Sequence, residues 1–328
     1  MSEGRDVTDS PQARVITVTL NPALDLAANA DAVVSGKKLR LDEPVVEPGG
    51  GGVNVARAIA RLGGEALPIA TLGGMSGARL ARLMRAAGQP VERVAIEGET
   101  RQGLTVADRR DGAQYRFVLP GPPLSEGKAQ QVLEKVGARL IEGAIVVLSG
   151  SQPPGLSAAF PATVARLAAA HGARLVVDTS GPALARLIET PSPRTPPFLL
   201  RLDEGEARRQ AGGKPASAQE AAALAEAMVT RGVASVVVVA RGASGSVLVG
   251  AGQRLSCAPP EVTVESKVGA GDSFTGGFVL ALARGEGLDE ALRLGTAAAA
   301  AAVMTPATEL CRGEDVARLL PQCRVQTL

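Results

Sequence analysis

Apolar, β-branched runs alternate with Ala-, Leu- and Arg-rich stretches of helical spacing along most of this chain. That alternation constrains the fold more than any other feature. Candidate strands are Val15–Leu20, Ala144–Ser149, Arg174–Asp178, Phe198–Leu202, Ser235–Ala240 and Ser246–Val249. Several are nearly continuous in Val, Ile and Leu, as expected for strands covered on both faces. Between them, helical spacing marks Val53–Leu62, Arg79–Ala87, Ala158–Ala170, Ala218–Thr230, Asp272–Arg284 and Leu288–Val303. Such a rhythm predicts an α/β fold: a mostly parallel sheet with right-handed crossovers and helices on both faces. The 328 residues suit one such sheet, since a single core grows to about 250–300 residues.

Two segments break the rhythm. Val33–Val46 and Leu104–Leu119 read as short alternating strands, with Asp111–Gly112 as a hairpin signal. They predict a small secondary sheet, inserted as segments of about 31–48 and 101–120 into a domain spanning 13–328. Met1–Gln12 is polar and lacks an apolar core, so it reads as a flexible tail rather than a signal peptide. The Pro-rich stretch Thr190–Pro197 is a loop. A GxGxxG turn after the first strand is absent, which argues against dinucleotide binding.

Composition removes whole classes of function. A net charge of +2, one Tyr and no Trp leave neither the field nor the stacking platforms that nucleic-acid binding needs. The longest apolar run, around Ala297–Met304, is far short of the ~20 residues that span a bilayer. Cys257, Cys311 and Cys323 are odd in number and lack metal-ligand spacing, which predicts a reducing, cytoplasmic setting. His171 follows an Ala-rich helix and reads as its C-terminal residue.

Two glycine segments could carry chemistry. Val268–Gly269–Ala270–Gly271–Asp272–Ser273 runs straight into a helical stretch. Small residues there let successive N–H groups gather at a helix N-terminus, which forms an anion cradle aided by the helix dipole. Asp272 has two readings: a base beside the cradled anion, or an N-cap after a Gly turn. Glu47–Pro48–Gly49–Gly50–Gly51–Gly52–Val53–Asn54 also runs into a helix. Its glycines admit a ligand close to the main chain, with a flexible hinge as the plainer reading. Asn54 could donate and accept to sugar hydroxyls.

In this order, the pair resembles the N- and C-terminal signatures of the ribokinase-type, or PfkB, carbohydrate kinases. The resemblance runs from about Val15 to Leu320. Thr19–Leu20–Asn21–Pro22–Ala23–Leu24–Asp25, Gly36–Lys37–Lys38–Leu39–Arg40, Thr100–Arg101–Gln102, Tyr115–Gly121 and Ser149–Gly155 are similar to the phosphosugar branch of that family. Its fructose-1-phosphate and tagatose-6-phosphate kinases typically carry Lys where this chain has Gly51. The resemblance implies a three-layer ribokinase-like sandwich with a β-sheet lid that commonly forms the dimer interface. It also implies ATP-dependent phosphorylation of a hexose phosphate, with fructose 6-phosphate at its 1-hydroxyl as the expected substrate. Fructose 1-phosphate, tagatose 6-phosphate and a catalytically weakened regulator are the alternatives.

Residue by residue, the resemblance makes Asp272 the base and the amides of Gly269, Ala270 and Gly271 the anion hole. Lys38, Arg40 and Arg101 would hold the sugar phosphate. Asp25, Gly49, Gly50, Asn54 and Ser149 would contact sugar hydroxyls, with a turn cap as the plainer reading of Asp25. Ala240, Gly242 and Gly245 fall in the nucleotide loop, although a simple hairpin would equally explain the two glycines. Where relatives read Lys–Pro–Asn–x–x–Glu, this chain has Arg201–Leu202–Asp203–Glu204–Gly205–Glu206. Arg201 and Asp203 are then on the nucleotide side, with Glu206, through water, and Asp203 at magnesium. Thr305–Pro306–Ala307–Thr308 departs from the usual Asn–x–Gly–Thr beside the monovalent-cation loop, so the implied potassium requirement is weakened.

Overall fold

The β-branched runs form strands because their Val, Ile and Leu side chains are buried on both faces of the sheet. In the strand Ile145–Ser149, Ile145 and Val147 face one core while Val146 and Leu148 face the other. The computed structural model describes residues 12–213, 215–306 and 308–328. The tail placed at Met1–Gln12 therefore lies outside the described residues, apart from Gln12.

In chain order the first half comprises β1 (Val15–Thr19), β2 (Ala23–Ala30), β3 (Val45–Gly49), α1 (Gly51–Arg61), β4 (Leu67–Leu72), α2 (Gly74–Ala86), β5 (Glu92–Ala95), β6 (Arg101–Asp108), β7 (Gln114–Val118) and α3 (Glu126–Gly137). There follow β8 (Ile145–Ser149), α4 (Phe160–Ala170), β9 (Arg174–Asp178), α5 (Gly181–Glu189), β10 (Leu199–Leu202), α6 (Glu204–Ala211) and α7 (Ala218–Thr230). The chain closes with β11 (Val236–Ala240), β12 (Ser246–Gly250), β13 (Gln253–Ala258), α8 (Ala270–Ala283), α9 (Leu288–Val303), α10 (Gly313–Leu319) and β14 (Arg324–Thr327).

The large sheet has ten strands in the order β14-β13-β12-β11-β10-β9-β8-β1-β4-β5. It is parallel from β5 to β11 and antiparallel from β11 to β14. One face is covered by α3, α4, α5 and α7, and the other by α1, α8, α9 and α10. The result is the expected three-layer sandwich. The order turns back between β1 and β8, and ligands of such sheets settle outside the carboxyl ends of the strands at that reversal. The start of α1 lies over this crevice: a Cβ on Gly52 would come 2.7 Å from Val18 O, and one on Gly51 would sit 2.6 Å from Gly150 N. No helix among the described residues is long and apolar enough to cross a membrane.

The secondary sheet has the order β3-β2-β6-β7, with β2 and β6 parallel and both outer pairs antiparallel. Its first half differs from the sequence expectation. The strands are Ala23–Ala30 and Val45–Gly49, while residues 31–44 are a connector joined to the sheet by an isolated bridge, Ala30 to Leu41, and by hydrogen bonds of Asp42 with Asn29 and of Val33 N with Asp108 Oδ2. The alternation in Val33–Val46 makes no strand before Val45, because Ser35, Gly36 and Pro44 break it and most of the connector is exposed. The β6–β7 hairpin turns at Asp111–Gly112 as expected. Asp111 Oδ1 accepts from Ala113 N, and Gly112 has φ 72°.

Candidate active site

The two glycine segments, far apart in the chain, meet. Helix α8 starts after Gly269, whose φ of 76° suits glycine, and no side chain caps it. The amides of its first turn therefore remain available to an anion. Asp272 lies inside that turn instead of at the cap, which removes the N-cap reading. Its Oδ2 accepts from Asn54 Nδ2 at 2.9 Å, across from the start of α1. Burial pushes the Asp272 carboxyl up to about 7, as do the nearby Asp178 and Asp25 charges; the Asn54 bond and Arg201 oppose this.

Arg201, at the end of β10, lies against the cradle. Its guanidinium would stand 3.0–3.3 Å from a Cβ on Gly271, so a larger residue there would press on Arg201. Arg201 Nη1 donates to Asp178 Oδ2 at 3.1 Å, Thr275 Oγ1 donates to the same oxygen at 3.1 Å, and the guanidinium stacks over Phe274. Its Nε is buried without a hydrogen-bond partner. A buried cation with an unused donor, set beside uncapped amides, suits an oxyanion.

On the other side of the cleft, the small sheet presents a charged face. By strand alternation Asp25, Glu47, Arg101 and Arg116 share one side. Asp25 stands within β2 and is not a turn cap. Its carboxylate occupies space that only glycine leaves: a Cβ on Gly49 would collide with it, and one on Gly103 would come 2.6 Å from Oδ1. Burial raises the Asp25 pKa, against the lowering charges of Arg101, Arg116 and Arg57. Arg101 is held by donating from Nε to Asn21 O at 3.1 Å. Ser149 ends β8 against Gly51.

Lys38 and Arg40 make no contact with this group among the described residues. Both are exposed on the 31–44 connector and form no ion pair or hydrogen bond among the described residues. Arg116 was missed as a site residue. Its Tyr–Arg–Phe surroundings stood in the resemblance, but only the pairing of β6 with β7 sets Arg116 on the face of Asp25 and Arg101.

The nucleotide-side residues cluster across β10 and β11. Gly242 and Gly245 bound the turn from β11 to β12, so the hairpin reading is correct, and the turn also faces α6. A cavity of about 150 Å³ there is lined by residues that include Glu204, Val239, Ala240, Arg241 and Ser244. Asp203 and Glu206 have a second role: Asp203 Oδ1 accepts from Glu206 N at 2.6 Å, and Glu206 Oε2 accepts from Asp203 N at 2.8 Å, a complete capping box for α6. Burial lifts the Glu206 carboxyl to about 7. Each carboxylate keeps one oxygen outside the box. No cluster of three metal-ligating side chains occurs among the described residues, so this donor set fits a hydrated cation carried on phosphates and not a protein-enclosed ion.

His171 caps α4 with its ring on Leu167 O, and the three cysteines are free and buried.

Comparison with known proteins bears on the same geometry. The model of the pfkB family carbohydrate kinases matches residues 18–314. The ATP-dependent 6-phosphofructokinase isozyme 2 of Mycobacterium tuberculosis is 38% identical over 94% of this chain and 90% of its own length. A 1-phosphofructokinase of Xanthomonas campestris is 31% identical over 94% of each. The crystal structure of Escherichia coli phosphofructokinase-2 in complex with potassium superposes with a TM-score of 0.87 at 37% identity, over 94% of this chain and 99% of that one. With the family model spanning both glycine segments and the cleft they build, the chain belongs to the pfkB family of carbohydrate kinases.

Proposed function

We propose that this protein transfers the γ-phosphoryl group of ATP to the 1-hydroxyl of fructose 6-phosphate, giving fructose 1,6-bisphosphate and ADP. The observation that carries the reading is the Asn54–Asp272 hydrogen bond, which sets a poised carboxylate between the start of α1 and the uncapped start of α8. Asp272 takes the hydroxyl proton as the sugar oxygen bonds to the γ-phosphorus. The bond from that phosphorus to the bridging oxygen breaks, and ADP leaves with the electron pair. The amides of Gly269, Ala270 and Gly271 hold the migrating group, and Arg201 adds positive charge beside Gly271.

Asp25, Gly49, Gly50, Asn54 and Ser149 take the sugar hydroxyls. Arg101 and Arg116 take its phosphate, with Lys38 and Arg40 joining from the connector. Arg201, Asp203, Ala240, Gly242 and Gly245 take the nucleotide. Magnesium, when bound on the phosphates, neutralises their charge, and Asp203 with Glu206 through water would hold it. The small sheet acts as a lid that excludes water from the transfer. Three buried thiols suit a reducing cytoplasm.

The reading favours fructose 6-phosphate over fructose 1-phosphate because this chain has Gly51 where the fructose-1-phosphate kinases typically carry lysine. A Cβ there would collide with Ser149 Oγ and sit 2.6 Å from Gly150 N, so the lysine of the other branch cannot be housed on this backbone. ADP release measured with fructose 6-phosphate, fructose 1-phosphate and tagatose 6-phosphate tests the reading. The expected result is a kcat/KM at least tenfold higher for the first; a higher value for fructose 1-phosphate would reverse the assignment. The same assay in potassium and in tetramethylammonium salts tests the cation requirement.

A further inference from the structure

Arg57 has no part in the chemistry above, yet it is buried, 8% exposed, one turn along α1 from Asn54. Its Nη2 donates to Glu47 Oε1 at 2.5 Å, and its Nη1 to Pro48 O at 2.7 Å and to Asn54 Oδ1 at 3.3 Å. The second oxygen of Glu47 accepts from Thr308 Oγ1 at 2.5 Å. Asn54 passes the contact on, from Nδ2 to Asp272. An unbroken chain thus runs from the loop after α9, through β3 and α1, to the base.

An asparagine amide is nearly symmetric in shape, so its partners choose which end is oxygen. Here a cation meets one end and a carboxylate the other, and only one sense satisfies both. We propose that Arg57 is a positioning residue that locks the Asn54 amide with its NH2 group toward Asp272, while the Glu47–Thr308 contact fastens Arg57 from the far side. This rests on the reading of Asp272 as the base. With Oδ2 held, the carboxylate turns its other oxygen to the sugar hydroxyl. Without Arg57 the amide is free to turn its own oxygen toward the carboxylate, which then holds its proton more tightly.

The groups that act on Asp272 are Asn54 from α1, Asp178 from β9, Arg201 from β10 and Asp25 from β2, and all remain in Arg57 variants. The test is the pH dependence of kcat/KM for fructose 6-phosphate in Arg57→Gln, Arg57→Lys and Thr308→Val, with thermal melts to confirm folding. Substrate titration is common to every profile, so displacement from wild type is what is read. In Arg57→Gln the acid limb should move up by half a pH unit or more, with kcat falling tenfold or more. Arg57→Lys should move the same way, because a single ammonium nitrogen cannot span acceptors that the guanidinium meets with two nitrogens. Thr308→Val should move less in the same direction.

A lowered kcat with an unmoved acid limb in both Arg57 variants would overturn the proposal. If Arg57→Gln does not fold, unmoved limbs in the other two variants overturn it equally. Asp272→Asn separates the two readings. Wild-type turnover in that variant removes the base itself, whereas an inactive Asp272→Asn with unmoved Arg57 limbs removes only the relay.

Discussion

Asp272 is held above the ordinary carboxylate range, and the sign of that shift has two consequences. A base whose pKa lies at about 7 is half ionised near neutrality, where a general base works best. Asp272→Asn should therefore lower kcat by about 10³-fold while still binding substrate, within the ~10²–10⁴-fold that a base supplies. The folded chain also binds this proton more tightly than the unfolded chain, so stability falls as pH rises from the ordinary value of 3.8 through about 7. Asn carries no such penalty. The variant should melt above wild type at pH 8.5, with the gap narrowing as pH falls toward 4 in calorimetry. A gap that ignores pH would show that the carboxylate titrates normally. At this scale the candidates Asp272, Asn54, Asp25 and Arg101 were legible because they stand inside motifs. Arg57 and Arg116 were not: an arginine in a helix or strand carries no sign of which oxygen it faces.

Among elements, the start of α6 carries a sequence that reads two ways. The capping box of Asp203 and Glu206 was readable from the spacing of two acids before a helical run, yet the resemblance drew attention to magnesium alone. Asp203→Ala should cost about 0.5–2 kcal/mol of stability as a lost cap and should also raise KM for MgATP. Urea melts and initial rates check both; an unchanged KM leaves Asp203 as a cap only. Strands rich in Val and Ile were found near their true bounds, as were most of the Ala- and Leu-rich helices, although α2 begins five residues before Arg79 and α3 and α5 were not marked. Ala23–Ala30 was missed because Ala, Leu, Asp and Asn carry little strand preference. It is a strand because β3 and β6 pair with it on either side.

For the whole molecule, the outer side of the small sheet matters most. Leu26, Leu104 and Phe117 form a cross-strand row on the side opposite Asp25, and Phe117 is 52% exposed. We propose that two copies pair through this row. Phe117→Glu should yield a folded monomer by sedimentation and weaken phosphosugar binding, since the lid loses its support; a persistent dimer would place the interface elsewhere. A side-chain link also ties this sheet to the loop before α8. Gln114 Nε2 donates to Glu265 O at 3.1 Å and Gln114 Oε1 accepts from Ser266 Oγ at 3.4 Å, in the loop that leads to the cradle.

By itself the chain's sequence determined the alternation of layers, the parallel sheet and the two glycine-led helix starts, because each depends on residues within one strand or one turn. Tertiary structure alone decided which side chains share the cleft. It placed Asn54 against Asp272, Arg201 against Gly271 and Arg57 behind Asn54. Contacts of that kind are made through space by packed elements and by fields that cross them, and sequence separation leaves no periodic trace of either.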